Sequence, residues 1–254
     1  MVLSLELATV GVVATGILAV SAVAARALTW PAGALAAVFG SIIVILAGFP
    51  FLILLVLFVA ASSLATRYAF REKMRRHVQE GSVGERGISN VVAHILIPTG
   101  LVVVATVGEN GQVPAASLAF LYACAIAFGS ADTFASEFGV LSNQARSITT
   151  WEPVTAGTNG GVSTLGQLWA FIGAAATAIV GALAFWAFRT PQPVAALFVG
   201  GVLLAGFLSC QVDSLLGDQL ENRGYLTKGG TNFLGMLSAV LIGVAILAAA
   251  GLPI

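Results

Sequence analysis

Long apolar runs separated by short polar connections set the pattern of this chain. A helix rises about 1.5 Å per residue, so about 20 mainly apolar residues cross the ~30 Å hydrocarbon core of a bilayer. Eight segments fit that description: residues 4–28, 32–48, 50–67, 90–107, 113–140, 162–188, 193–218 and 231–251. The second and third form one continuous run, divided at Gly48-Phe49-Pro50 because proline disfavours helix at the residue before it. The first run opens with Glu6 in place of a basic leader and is long enough to span, so it reads as a retained helix and not a cleaved signal. The pattern predicts an all-α polytopic integral membrane protein, a single transmembrane domain of about eight transmembrane helices, with counts of six or seven also allowed.

Composition narrows the partners. Of 254 residues 58% are apolar and 9% charged, against about a quarter charged in soluble domains. Eleven basic and eleven acidic residues cancel, leaving no basic face for nucleic acid and no charge-driven disorder. Membrane lipid is the partner that remains. Cys124 and Cys210 sit inside apolar runs without metal or CxxC spacing and read as small buried hydrophobes.

The few charges are unevenly placed. Arg67, Arg71, Lys73, Arg75, Arg76 and Arg86 belong to one connection, residues 68–89, which the positive-inside rule assigns to the cytoplasm. Alternation from that loop puts Arg26, Arg146, Arg223 and Lys228 on the same side and leaves Arg189 opposite. Both termini are then expected outside, with loops 68–89, 141–161 and 219–230 cytoplasmic. The outer connections are Gly108-Glu109-Asn110-Gly111 and Arg189-Thr190-Pro191-Gln192-Pro193. Without an Arg- and Ser-rich transit segment, the expected location is a cell membrane of prokaryotic type.

Acids within spans cost about 2.5–3.5 kcal/mol each at a helix centre and mark functional candidates. Asp132 and Glu137 share a five-residue spacing with Asp213 and Asp218. Each pair precedes a Gly-rich Thr-Asn element: Gly157-Thr158-Asn159-Gly160-Gly161 and Gly229-Gly230-Thr231-Asn232. The stretches 129–166 and 209–238 therefore read as an internal repeat. Five residues turn a helix by about 500°, splaying each acidic pair by about 140°. One acid can face a site while the other braces a neighbour. About 20 residues, roughly 30 Å, separate Asp132 and Asp213 from the outer starts of their helices, placing both at the cytoplasmic rim.

Oxygen-rich acids beside glycine turns suit a magnesium nucleotide: carboxylates hold Mg²⁺, and glycine lets backbone N–H groups approach phosphate. Thr158 and Thr231 are expected as N-caps of the following helices. Neither Gly-x-x-x-x-Gly-Lys-Ser/Thr nor Gly-x-Gly-x-x-Gly occurs. The basic loop reads either as an orientation signal touching anionic headgroups or as a phosphate clamp through Arg67, Arg71 or Lys73. His77 and His94 read as ordinary solvated or packed histidines.

The segment Ala131-Asp-Thr-Phe-Ala-Ser-Glu-Phe-Gly-Val-Leu-Ser142, with Arg146-Ser-Ile-Thr-Thr150 and Gly157-Thr-Asn-Gly-Gly-Val-Ser163, resembles the transmembrane protein 19 family, also called domain of unknown function 92. The likeness extends to Ser63-Leu-Ala-Thr-Arg67 with Glu72-Lys73, to Glu85-Arg-Gly-Ile-Ser-Asn-Val91, to Asp213-Ser-Leu-Leu-Gly217 and to Thr231-Asn-Phe-Leu234. The family often carries a basic residue and Pro-Pro before its Gly-Thr-Asn-Gly-Gly element, where this chain has Trp151-Glu152-Pro153-Val154-Thr155-Ala156. The resemblance includes phytyl-phosphate kinase, and the acidic motif is similar to the Asp-x-x-Ala-x-x-x-Gly of CTP-dependent polyprenol kinases and CDP-diacylglycerol synthases.

It implies a Mg²⁺-dependent isoprenoid-phosphate kinase moving the terminal phosphoryl of CTP or ATP to a phytyl or polyprenyl monophosphate. Asp132 and Asp213 would hold the metal, with Glu137 and Asp218 as further ligands or braces. Phosphate contacts would come from Arg67, Lys73, Asn90, Arg146, Lys228, Thr158, Asn159, Gly160, Gly161, Thr231 and Asn232. A lipid or ion transporter, or a CDP-lipid cytidylyltransferase, fits the same residues. No motif specifies the donor nucleotide, tail length or an oligomer.

Overall fold

Where the apolar runs reach spanning length, the chain is helical. A computed structural model describes residues 4–107 and 113–254, and among them eight helices are long and apolar enough to cross a membrane. They are α1 (Leu5–Ala24), α2 (Trp30–Ala47), α3 (Phe49–Arg67), α5 (Ile88–Val107), α6 (Ala115–Gly139), α7 (Thr164–Ala187), α8 (Ala195–Leu216) and α9 (Lys228–Ala249), with the short α4 (Phe70–Arg75) between α3 and α5. The long second run does divide. Gly48 adopts φ +96°, a conformation that L side chains rarely take, and Pro50 occupies the first turn of α3, where its missing N–H costs nothing.

The bundle is built around α6, buried almost without interruption from Ser117 to Ala131. Helices α3, α5, α7, α8 and α9 surround it, while α1 packs on α2, and α2 on α3 and α5. Between lipid-facing helices no hydrophobic force drives association, so close van der Waals approach must do so. Small residues permit it: a Cβ added at Gly173 of α7 would stand 2.6 Å from the Ser130 carbonyl oxygen of α6, and one at Gly206 of α8 would stand 2.7 Å from Ala127 Cβ. Outward faces are apolar, as Val13, Ile17, Val20, Leu183 and Leu241 illustrate, and exposed Trp30 and Trp186 lie at opposite ends. Such tryptophans suit the two membrane interfaces.

The long connections gather at one end. There Arg86 N–H donates to the Ala27 carbonyl (3.0 Å) and Thr29 N–H to the Arg86 carbonyl (3.1 Å), tying the α1–α2 turn to the chain entering α5. Between α6 and α7 a three-stranded antiparallel sheet forms, with β1 (Ala145–Ser147) central between β2 (Pro153–Val154) and β3 (Gly161–Val162). Every Lys and Arg except Arg189 belongs to this end. At the other end the α7–α8 turn closes with Thr190 N–H on the Phe185 carbonyl at 2.8 Å, and Gly108-Glu109-Asn110-Gly111 lies outside the described residues.

Because the α6–α7 contact leaves no room at Gly173, Gly173→Val should cost about 1–3 kcal/mol through overpacking. A lowered melting temperature in detergent checks this, and Gly16→Ala, with nothing within 4 Å, should leave it unchanged.

Candidate functional site

At the loop end a cavity of about 310 Å³ opens among α6, α7, α8 and the start of α9. The 77–80 and 156–163 segments complete its walls. Asp132 and Glu137 reach it from α6, and Asp213 and Glu221 from the α8 side. After α8 the helix widens into a π-helical turn, Gly217–Glu221, a feature often found at functional sites. Asp213, Gly217 and Glu221, four residues apart, all line the cavity, whereas Asp218 does not.

The four acids named from sequence have different surroundings. Asp132 accepts no hydrogen bond from a described residue; His94 Nε2 stands 4.0 Å from its Oδ2. His94 Nδ1 donates to the Asn90 carbonyl at 2.9 Å, which orients the ring. Asp213 Oδ1 is buried without a partner. Glu137 is fully engaged, accepting from Thr66 Oγ1 (2.7 Å) and Lys73 Nζ (2.6 Å). Asp218 faces the sheet, accepting from Ser147 Oγ (2.7 Å) and from Thr149 Oγ1. Glu137 and Asp218 thus tie loops to helices, while Asp132 and Asp213 line the cavity without a hydrogen bond to a described residue.

Several sequence expectations about the surrounding donors change. Lys73 does not extend toward phosphate: it is fully buried, and Nζ also donates to the carbonyls of Ala65 (2.9 Å) and Thr66 (3.2 Å), which exhausts its three protons. Arg67 donates to the Ala25 carbonyl, and exposed Arg146 to that of Trp151 at 2.8 Å; neither lines the cavity. Asn90 lies outside it as well, with Oδ1 accepting from Arg86. Thr158 and Thr231 are not the caps. Ser163 Oγ accepts from Gly166 N–H (3.1 Å) to cap α7, and Thr227 Oγ1 from Gly230 N–H (3.2 Å) to cap α9. The common signal is a hydroxyl three residues before glycine. Thr231 instead lies within α9 and donates to Glu221 Oε2 at 3.0 Å.

The Gly-Thr-Asn elements also differ locally. Thr158, Asn159, Gly160 and Gly161 form a turn before β3 and line the cavity, whereas Gly229–Asn232 is the first turn of α9, contributing Asn232. Gly160 takes φ +73° and passes so close to the π-helical turn that an added Cβ would lie 2.3 Å from Asp218 Cβ.

Sequence reasoning missed Glu80, Glu221 and the part played by His94. Lys228 lines the cavity and is paired with Glu80 at 3.3 Å. The Asp213-x-x-x-Gly217-x-x-x-Glu221 spacing is a helical signal that pointed to Glu221; Glu80 carries none, since it is delivered by the fold of the 76–87 loop. That loop is pinned by Glu85, whose carboxylate accepts from Ser82 Oγ (2.6 Å) and Val83 N–H (2.7 Å), bonds that hold its pKa down to about 2.

The chemistry of this arrangement is two-sided. Helices α7 and α9 turn their N-terminal ends, with Gly166, Gln167, Lys228 and Asn232, toward the cavity, where the positive end of the helix dipole favours an anion. The carboxylates of Asp132 and Asp213 favour a cation. Among the described residues no group of three or more His, Cys, Asp or Glu side chains forms a self-sufficient metal site. Two carboxylates nevertheless fit Mg²⁺, which commonly takes one or two from protein and the rest from phosphate and water.

A polytopic α-helical membrane protein with an acid-lined polar cavity at one end is the class these features define. The chain belongs to the integral membrane protein family DUF92, whose model matches residues 13–233. It is 32% identical over 210 residues to an uncharacterised membrane protein of Methanocaldococcus jannaschii, covering 82% of this chain and 81% of that one. Protein PGR of Arabidopsis thaliana is 32% identical over 198 residues, covering 70% and 67% of the two chains, and an uncharacterised membrane protein of Synechocystis sp. is 29% identical over 238 residues, covering 90% and 87%. No solved structure matches.

Two stability outcomes follow. Lys73→Met strands the buried Glu137 carboxylate and should cost about 3–5 kcal/mol, with most of it recovered in the Lys73→Met/Glu137→Gln double variant, as read by thermal unfolding. Gly160→Ala should detach the 156–161 turn and increase its cleavage in limited proteolysis.

Proposed function

We propose that the protein is a lipid phosphotransferase, an isoprenoid-phosphate kinase that moves the terminal phosphoryl group of CTP or ATP onto a membrane-held phytyl or polyprenyl monophosphate. The observation that carries this reading is the pairing, in one cavity, of two carboxylates, Asp132 and the buried, unpartnered Asp213, with two helix N-termini and a glycine turn. Phosphoryl transfer requires little covalent chemistry from a protein; it requires in-line positioning and neutralisation of charge. In the reaction an oxygen of the acceptor monophosphate attacks the terminal phosphorus of the nucleotide. The bridging P–O bond breaks, and the products are a prenyl diphosphate and a nucleoside diphosphate.

Asp132 and Asp213 would hold Mg²⁺, which when bound supplies a Lewis acid to the phosphate oxygens. The Gly160 turn and the positive ends of the α7 and α9 dipoles would face phosphate, and Lys228 would add positive charge near it. Glu137 and Asp218 work indirectly, through the loops they hold. By the positive-inside rule the cavity faces the cytoplasm, where nucleotides are available, and both termini lie outside.

The location of the cavity also weighs between rivals. Asp132 lies 17 residues into α6 and Asp213 18 residues into α8, about 26 Å along each axis, and so near one membrane surface. Carriers place their sites near the midplane, which favours the enzyme. A cytidylyltransferase would share this geometry but release pyrophosphate.

Purified protein given labelled CTP or ATP, Mg²⁺ and phytyl or geranylgeranyl phosphate should form a prenyl diphosphate. Folded protein inactive in all four pairings overturns the proposal, and release of pyrophosphate transfers it to the cytidylyltransferase reading. Asp132→Asn and Asp213→Asn should each lower turnover about a hundredfold or more without loss of expression.

A further inference from the structure

A second cavity, about 30 Å³, lies between α2, α3 and α5. Its walls are apolar, Leu28 and Ala36 among them, apart from Ser62, Arg86, Asn90 and His94. Three atoms of those four residues, Ser62 Oγ, Arg86 Nε and His94 Nε2, are buried without a hydrogen-bond partner. His94 Nε2 stands toward Asp132, but two unsatisfied polar atoms, Ser62 Oγ and Arg86 Nε, on residues lining one small apolar-walled space call for an occupant, because buried polar groups are otherwise paired.

Arg86 decides what kind. It is only 6% exposed, and among the described residues it forms no ion pair. Nη1 donates to Asn90 Oδ1 (3.1 Å) and Nη2 to Thr66 Oγ1 (3.3 Å), both neutral acceptors. Glu137 stands behind Thr66 and is already paired with Lys73. Burial accordingly pushes the guanidinium pKa down, yet arginine does not release its proton in a protein. A permanent buried cation with a free donor calls for an anion. The backbone bonds to Ala27 and Thr29 on either side leave the residue little freedom to turn back to solvent.

We propose that Arg86 and Ser62 anchor the phosphate of a lipid whose hydrocarbon tail lies along the apolar walls between α2, α3 and α5. Guanidinium donors match phosphate oxygens, and the hydroxyl adds a neutral donor. The space as it stands admits about one or two water-sized atoms, room for the leading phosphate oxygen, with the tail directed between the helices. His94 is the shared partition: it lines this cavity, and its Nε2 lies 4.0 Å from Asp132, which lines the larger one. The anchored phosphate is thereby set beside the nucleotide cavity. That it is the phosphoryl acceptor rests on the kinase reading; that it binds here does not.

The test uses the full chain in phosphatidylcholine nanodiscs, without nucleotide or Mg²⁺. Labelled phytyl monophosphate should bind saturably, and Arg86→Gln should weaken it about tenfold or more, the worth of a charged hydrogen bond. Ala36→Phe, which fills the apolar wall and leaves the cation in place, should weaken it as well. Size-exclusion elution and a cooperative thermal transition like those of the unchanged protein show both variants folded. Displacement by phosphatidylglycerol assigns the site to bulk anionic headgroups, and its absence assigns the site to the monoester; Arg86 is the anchor in either case. Unchanged binding in both variants, or inorganic phosphate binding as tightly as the lipid, overturns the proposal and leaves a cavity for ordered water. Arg86-dependent binding in a protein that makes no prenyl diphosphate overturns the kinase reading alone.

Discussion

The Lys73–Glu137 pair is made where neither partner has water. Lys73 is fully hidden and Glu137 nearly so, and their 2.6 Å contact is sustained because every remaining Lys73 proton reaches a carbonyl while Thr66 donates to the carboxylate. Such a pair is a poor source of net stability, since desolvation takes back most of the Coulomb gain. Its force is geometric. Breaking it leaves a bare buried charge, so the polar loop after α3 must fold under the end of α6 and stay there. That fold brings Glu80 and His77 over the large cavity and carries the chain on to Arg86. The site is therefore roofed by a connection that hydropathy alone would leave in water.

A second constraint is the burial of α6. A helix surrounded by five others can carry ionisable groups only at its end, where loops supply partners or a cavity supplies solvent and ligand. Asp132 and Glu137 divide those two solutions between them. The same division recurs on the α8 side, where Asp213 is left unsatisfied and Asp218 is spent on Ser147 and Thr149. On α6 the five-residue spacing splays the pair by about 140°, so Glu137 reaches Thr66 and Lys73 while Asp132 does not, although both line the cavity.

Much of this is legible in the sequence. Spans are written in long apolar runs, and the break at Gly48-Phe49-Pro50 follows from backbone chemistry that no packing overrides. Asp132 and Asp213 stood out because carboxylates are rare in such helices. Lys73 misled because a lysine in a polar loop normally stays hydrated, and nothing local says that the loop will bury it. Arg86 reads as part of an orientation signal for the same reason. The caps at Ser163 and Thr227 were overshadowed by the neighbouring Thr-Asn elements, although a hydroxyl three residues before glycine marks both. Glu80 and His94 acquire their neighbours only through tertiary folding, which spacing along the chain does not encode.

The walls of the large cavity come from the 77–80 segment, from α6, α7 and α8, and finally from Lys228 and Asn232 at the head of α9. Helices enter a membrane in chain order as synthesis proceeds. Until α9 follows, Asp132 and Asp213 lack the wall that Lys228 and Asn232 supply, and Glu80 lacks its Lys228 partner. The last span closes the cavity as well as completing the count. A chain halted before α9 would hold all four motif acids and still have no chamber, so biogenesis itself separates possession of the motif from possession of the site.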